Sequence, residues 1–146
     1  MMTYSKTGRA LTEAFEGCRL KAYQDVKGVW TIGYGHTTNV EKGDACTQEQ
    51  ADVWLSTDIL WAANAVNKLV TLTMSQGMFD ALTDLVLNIG VGAFSHSGML
   101  RLLNDGHLKE AAAQFALWDK SGGTVIAGLL RRRDAEAKEF MAGIPA

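Results

Sequence analysis

Two carboxyl side chains and a hydroxyl stand close together early in the chain as Glu16, Asp25 and Thr31, with eight residues between the first pair and five between the second. Groups of these types suit hydrolysis of an acetal: one carboxyl protonates the departing oxygen, while the other, with a hydroxyl, holds a water against the bond being broken. Taken singly, each residue has a plainer account. Most glutamates are solvated surface residues, an aspartate before a glycine opens turns, and a β-branched threonine suits a strand. The joint spacing carries the chemical reading.

The surrounding elements can bring the three together. Leu11, Ala14, Phe15 and Cys18 fall at i, i+3, i+4 and i+7, the apolar stripe of a short helix that Gly17 stops. Glu16 therefore ends a helix, where the partial negative charge of the carbonyls disfavours a carboxylate and favours the protonated form a general acid uses. Beyond Gly17 the period becomes two, with Leu20 and Ala22 alternating against Arg19 and Lys21, and Val29 leading into Trp30, Thr31 and Ile32. Between these runs, Asp25-Val26-Lys27-Gly28 has the residue choice of a type I turn joining two strands. A helix end, a hairpin turn and a returning strand can converge on one side of a small sheet.

The chain has 146 residues, enough for one domain and too few for a comfortable second. Its 14 basic and 16 acidic residues give a net charge of −2, without the basic excess of a phosphate-binding surface, so nucleic acid is not an expected partner. The segment from Met1 to Arg9 lacks the apolar core of a secretory signal, and the run from Ile59 to Ala63 falls far short of the ~20 residues that span a bilayer. Cys18 and Cys46 read as reduced thiols of a cytosolic product, with a disulfide between them left open.

After a loop from Thr38 to Cys46, with room for a third short strand over Thr37 to Val40, Thr47 and Gln50 have capping-box spacing. Behind them Ala51, Leu55, Ile59, Ala62, Val66 and Leu69 predict a helix of about 20 residues, roughly 30 Å long, able to link two lobes. Thr73 and Gln76 repeat the cap signal before a buried helix with Met78, Phe79, Leu82, Val86 and Ile89 on its stripe, ended by Gly90 and Gly92. A short helix follows from Gly98 to Asn104, capped by Ser95 or Ser97 and stopped at Gly106. The next carries Leu108, Ala111, Ala112, Phe115 and Trp118 on its face, and Ser121-Gly122-Gly123 breaks the chain before a last helix from Ile126 to Met141.

The spacing of Glu16, Asp25 and Thr31, followed by Ile32-Gly33-Tyr34-Gly35-His36-Thr37, closely resembles the phage lysozymes, the endolysins of glycoside hydrolase family 24. The resemblance continues through Leu87-Asn88-Ile89-Gly90-Val91-Gly92-Ala93-Phe94 and Gly128-Leu129-Leu130-Arg131-Arg132-Arg133, and so covers essentially the whole chain. It implies an α+β, mostly helical, two-lobed domain over residues 1–146: a small antiparallel sheet lobe at about 16–46, a connecting helix at about 48–69 and a helical lobe at about 70–146. The implied activity is hydrolysis of the β-1,4 bond from N-acetylmuramic acid to N-acetylglucosamine in peptidoglycan. Glu16 is then the acid, and Asp25 with Thr31 positions the water; family analogy favours inversion. By the same resemblance Tyr34, Gly35, His36, Leu87, Asn88 and Phe94 contact substrate, with Asn88 the best hydrogen-bond donor, and no metal or organic cofactor is needed. It further implies a monomer that accumulates in the host cytoplasm and reaches the wall once a holin opens the membrane. The alternative is a cell-wall binding domain that keeps the fold without turnover.

Other features have local readings. Gly33-Tyr34-Gly35 lacks the third glycine and following helix of a nucleotide loop, and reads instead as backbone that a substrate can approach. His36 reads as a hydrogen-bonded structural histidine rather than half of a metal site. Trp30, Trp54, Trp61 and Trp118 suit sugar stacking, but packing is the usual fate of aromatics at helical spacing. On the last helix Ile126, Leu130, Arg133, Ala137 and Met141 share a face, which places Arg133 in an apolar stripe with Arg131 and Arg132 pointing elsewhere. A buried guanidinium needs a carboxylate partner; the plain reading is that Arg133 snorkels to solvent or pairs locally with Asp134 or Glu136, and the expectation is that it supports the site by reaching across to Glu16 or the adjacent turn.

Overall fold

The computed structural model describes residues 1–145, so Ala146, the last residue of the expected domain, lies outside the described residues. The chain opens with helix α1 (Lys6–Glu16), whose N-cap Ser5 accepts a hydrogen bond from the Gly8 amide and whose end is set by Gly17 at φ 62°. Strands β1 (Arg19–Gln24) and β2 (Trp30–Gly33) then pair antiparallel, with Tyr23 opposite Thr31 and Gln24 opposite Trp30. Asp25 accepts the Gly28 amide across the turn, and the positive φ of Gly28 lets the chain reverse.

Two local expectations fail here. The face that α1 buries is Gly8 and Thr12, whereas Ala14 is exposed and Leu11, Phe15 and Cys18 are half-buried. Gly8 is needed because a Cβ there would strike the Tyr4 ring and Asp80, so α1 approaches its neighbour closely through a small and a polar residue rather than through an apolar stripe. Leu20 is exposed, so the period-two pattern of β1 is not a burial pattern. No third strand forms over Thr37 to Val40; the loop comes back on β1 further on, where the Ala22 amide donates to Asp44 and the Cys46 amide to Leu20. Both cysteines are free, and burial, then the neighbouring Cys18, pushes the Cys46 thiol up.

The capping box at Thr47 and Gln50 starts helix α2 (Gln48–Leu69), 22 residues long. Ala51, Leu55, Ile59, Ala62 and Val66 are buried along it. Its first turns lie on β2, where Gly33 leaves room for Ala51, and its later turns pack on helix α3 (Gln76–Ile89). Helix α3 is the buried centre, with Met78 to Val86 all inaccessible. Its N-cap is Ser75 rather than Thr73, and Gly90 ends it.

Helices α4 (Val91–Ser95), α5 (Gly98–Asn104, capped by Ser97) and α6 (Leu108–Ala113) wrap one side of α3, and α6 tightens into a 3₁₀ turn at Gln114–Trp118. The Gly122-Gly123 break is the tip of a small hairpin of β3 (Lys120–Ser121) and β4 (Thr124–Val125), an element the glycines alone did not suggest. Helix α7 (Ala127–Ala142) closes the molecule and packs along α3. Phe79, Leu82, Leu85, Phe94, Leu103, Phe115 and Phe140 fill the core between α3, α5, α6 and α7.

Candidate active site

Glu16 reaches the site because α1 ends there, and its carboxylate is held directly by Arg132, through Arg132 by Asp84, and by the close approach of Gly35. Arg132 Nη1 lies 2.5 Å from Glu16 Oε1, while Arg132 Nε donates to Asp84 Oδ2 and Nη2 to Asp84 Oδ1, both at 2.9 Å. Asp84 is fully buried on α3 and also accepts from Thr12 Oγ1 at 2.6 Å, and Thr12 in turn meets the Tyr4 hydroxyl at 2.7 Å. The third constraint is Gly35. A Cβ at this position would collide with Glu16 Oε2 and lie 2.9 Å from its Cδ, and φ there is +74°. Gly35 is thus glycine to admit the Glu16 carboxylate.

The expected partner of Glu16 was Arg133, and the structure gives Arg132. The buried stripe of α7 is Arg132, Arg133, Glu136 and Phe140, while Leu130 and Met141 are exposed, so the helix is turned relative to the apolar count. Arg133 donates through Nη1 to Asn88 Oδ1 at 2.9 Å and through Nη2 to Glu136 Oε2 at 3.0 Å. Its Nε lies 2.6 Å from Glu136 Oε1 but off the N–H direction, so that approach is an ion contact without a hydrogen bond. Burial, then a hydrogen bond with Asp84, pushes the Glu136 carboxyl well up. Burial alone would raise Asp84 too, but hydrogen bonds from Glu136 and Arg132 and the Arg132 charge hold it well below the usual range.

Asp25 is positioned quite differently. Its Oδ1 accepts from the amides of Lys27 and Val29 at 2.9 and 2.8 Å, so one oxygen is engaged by its own turn and Oδ2 makes no such bond. Thr31, buried on β2, donates its hydroxyl hydrogen to the Val29 carbonyl at 2.9 Å. Its oxygen keeps lone pairs for a further partner.

Glu16, Asp25 and Thr31 line one cleft of about 550 Å³, together with Arg19, Tyr23, Gly35, Leu87 and Asn88. A second cavity of about 200 Å³ opens on the other side of Glu16, between Tyr34, Thr37, Asp58, Trp61, Leu87 and Val91. Tyr34, Gly35, Leu87 and Asn88 each line one or both of these cavities. His36 and Phe94 are corrections. The His36 ring stacks on Trp54 at 4.7 Å, its Nδ1 lies 2.9 Å from Asp58 Oδ2, and it joins the sheet to α2 instead of lining either cavity. Phe94 is wholly inside the core.

Sequence reasoning missed Arg132, Asp84, Arg19, Tyr23 and Asp58. The i, i+4, i+8 series Arg132, Glu136, Phe140 was a signal for the first. Arg19 sits over the Tyr23 ring at 4.2 Å, four residues along the same strand.

A helix-end glutamate, a turn aspartate and a strand hydroxyl thus share one cleft on a mostly helical α+β fold. The phage lysozyme family model matches residues 13–136. The endolysin of Acyrthosiphon pisum secondary endosymbiont phage 1 is 42% identical over 143 residues, covering 95% of this chain and 98% of that protein. The endolysin of Bacillus phage PZA is 41% identical over 147 residues, and there the match takes in 99% of this chain but 57% of the longer relative. Among solved structures, the muramidase domain of SpmX from Asticaccaulis excentricus superposes with a TM-score of 0.88 at 40% identity, over 99% of this chain and 100% of that one. The chain belongs to the phage lysozyme family, and its activity is that of an endolysin, a glycoside hydrolase of bacterial peptidoglycan.

Proposed function

We propose that the bond cut is the β-1,4 linkage from N-acetylmuramic acid to N-acetylglucosamine, with Glu16 as general acid and Asp25 and Thr31 as the water-positioning pair. The observation that carries this reading is the common cleft of the three residues, with one Asp25 oxygen tied to its turn and the other not. A water that donates one hydrogen to Asp25 Oδ2 and the other to Thr31 Oγ1 has a lone pair left for the anomeric carbon. As the glycosidic bond breaks, Glu16 delivers a proton to the leaving oxygen, and Asp25 takes up the proton that the water sheds. This course corresponds to inversion.

Arg132 holds Glu16 in one orientation until substrate arrives. Arg133 supports the site by another route than expected: it occupies Asn88 Oδ1, which turns the Asn88 amide nitrogen into the available donor for a sugar carbonyl or hydroxyl. Residues 16–46 and 70–145 act as the two lobes of one monomeric domain joined by α2. Among the described residues no helix is long and apolar enough to cross a membrane. Release to the wall by a holin, from the host cytoplasm, is the delivery route that accords with this.

The test is clearing of purified peptidoglycan followed by identification of the new reducing end. Glu16→Gln cannot donate the proton and should lower turnover by about 10²–10⁴-fold with the fold intact. Reducing N-acetylmuramic acid is the expected product; reducing N-acetylglucosamine or an anhydro sugar would refute the bond assignment. Binding to peptidoglycan without clearing at any pH would favour the cell-wall binding alternative.

A further inference from the structure

Trp61 is 72% exposed, yet it forms a wall of the cavity that holds Glu16. An indole left bare beside an acid is unusual on α2, whose other cleft-side neighbour, Ala62, is buried. Val91, itself 42% exposed, and Leu87 supply further apolar lining of the same cavity. The polar lining is Thr37 and Thr38 from the loop and, one turn before Trp61 on α2, Asp58, whose Oδ2 is already engaged by His36 and whose Oδ1 is outside that bond. One apolar face and one hydrogen-bonding edge match a pyranose ring, which has axial C–H groups on its face and equatorial hydroxyl and acetamido groups on its rim.

Each half of the cleft has two carboxylates, Glu16 with Asp58 in one and Glu16 with Asp25 in the other, and the halves differ in their cations. The cavity at Trp61 has two carboxylates, Glu16 and Asp58, and no cation among its described lining residues. The larger half beyond Glu16 is lined by Arg19, and the groove that continues from Asp25 by Lys27 and Lys120. In peptidoglycan the muramic acid units carry a lactyl group and a peptide bearing carboxylates, whereas the alternate sugars carry neither. An anionic substituent is repelled beside Asp58 and attracted beside Arg19.

We propose that Trp61 is the stacking platform of a subsite for an N-acetylglucosamine unit without a peptide, next along the strand from the sugar held by Glu16 and Asp25. The proposal rests on the glycosidase reading of the cleft and adds to it the residue that holds the sugar next to the cleaved unit.

The experiment compares wild type with Trp61→Ala, Trp61→Phe and Leu60→Ala, using N,N′,N″-triacetylchitotriose as probe by calorimetry and peptidoglycan as substrate. Leu60 is the exposed neighbour of Trp61 on α2 and lines neither cavity. Trp61→Ala should weaken trisaccharide binding about tenfold and raise KM by a similar factor, with a smaller change in kcat. Trp61→Phe should stay within about twofold of wild type, since a smaller aromatic face remains. Leu60→Ala should behave as wild type. Unchanged affinity in Trp61→Ala, or no binding of the trisaccharide by wild type, overturns the subsite. Glu16→Gln separates the two claims: it should bind the trisaccharide while losing turnover, and full turnover in that variant would sink the acid assignment whatever Trp61 does.

Discussion

The Glu16 side and the Asp25 side of the cleft hold their carboxylates in opposite ways. Glu16 is the end of a chain of buried side chains running Arg132, Asp84, Thr12 and Tyr4, drawn from α7, α3, α1 and the N-terminal segment. Asp25 relies on two amides within four residues of itself. A proton donor must stay put while its charge changes, and distant elements give that rigidity. A water-binding carboxylate needs only a turn of the right shape. The stability of the fold should therefore depend on the first side and hardly at all on the second.

Ranked by their effect on stability, four variants probe that contrast. Asp84→Ala removes the bidentate partner of a buried arginine, and breaking such a pair should cost about 3 kcal/mol or more, read as a large drop in the thermal midpoint. A loss of under about 0.5 kcal/mol would mean that the arginine side is no more tied into the fold than the turn. Gly35→Ala should cost about 1–3 kcal/mol, because the added methyl meets Glu16 and the backbone is left-handed there; turnover should fall as Glu16 is displaced.

Glu139→Gln sharpens the same side through pH. Burial, then the charges of Asp80 and Asp84, raises the Glu139 carboxyl to about 7. A raised carboxyl contributes stability below its unfolded value near ~4.5 and loses it as pH climbs through 7. The wild type should therefore lose stability between about pH 5 and pH 8 from this group, by about 1 kcal/mol at most given its partial exposure, and the glutamine variant should show a flatter profile in denaturant titrations. Asp84 works in the reverse sense, since its depressed carboxyl stabilises above ~3.9 and stops doing so as pH falls below that.

Asp25→Asn should be the mildest. The amide oxygen can still accept from Lys27 and Val29, so stability should stay within about 0.5 kcal/mol of wild type, while peptidoglycan clearing drops severely because the base is gone. A large stability loss here would erase the contrast between the two sides.

The parts of the site legible in the sequence are those set by short-range rules. Glu16 at a helix end, Asp25 in a turn and Thr31 on the returning strand all follow from caps, turns and periods that act within a few residues. His36 and Phe94 were misassigned because neighbourhood in the chain says nothing about which way a side chain turns. His36 follows Gly35 in the chain yet stacks on Trp54 and pairs with Asp58 of α2, twenty-two residues further on.

The arginines mark the boundary most clearly. That a guanidinium of α7 meets a carboxylate was readable from the cost of burying a lone charge. Which of Arg132 and Arg133 meets Glu16 was not, because neighbours on a helix differ by about 100° and the rotation of α7 is set by its packing on α3. The sequence by itself determined the local elements, the chemical groups and their order. Only the tertiary structure decided the phase of α7, the buried polar face of α1 and the bare indole of Trp61 beside the acid, because each depends on surfaces brought together from distant parts of the chain.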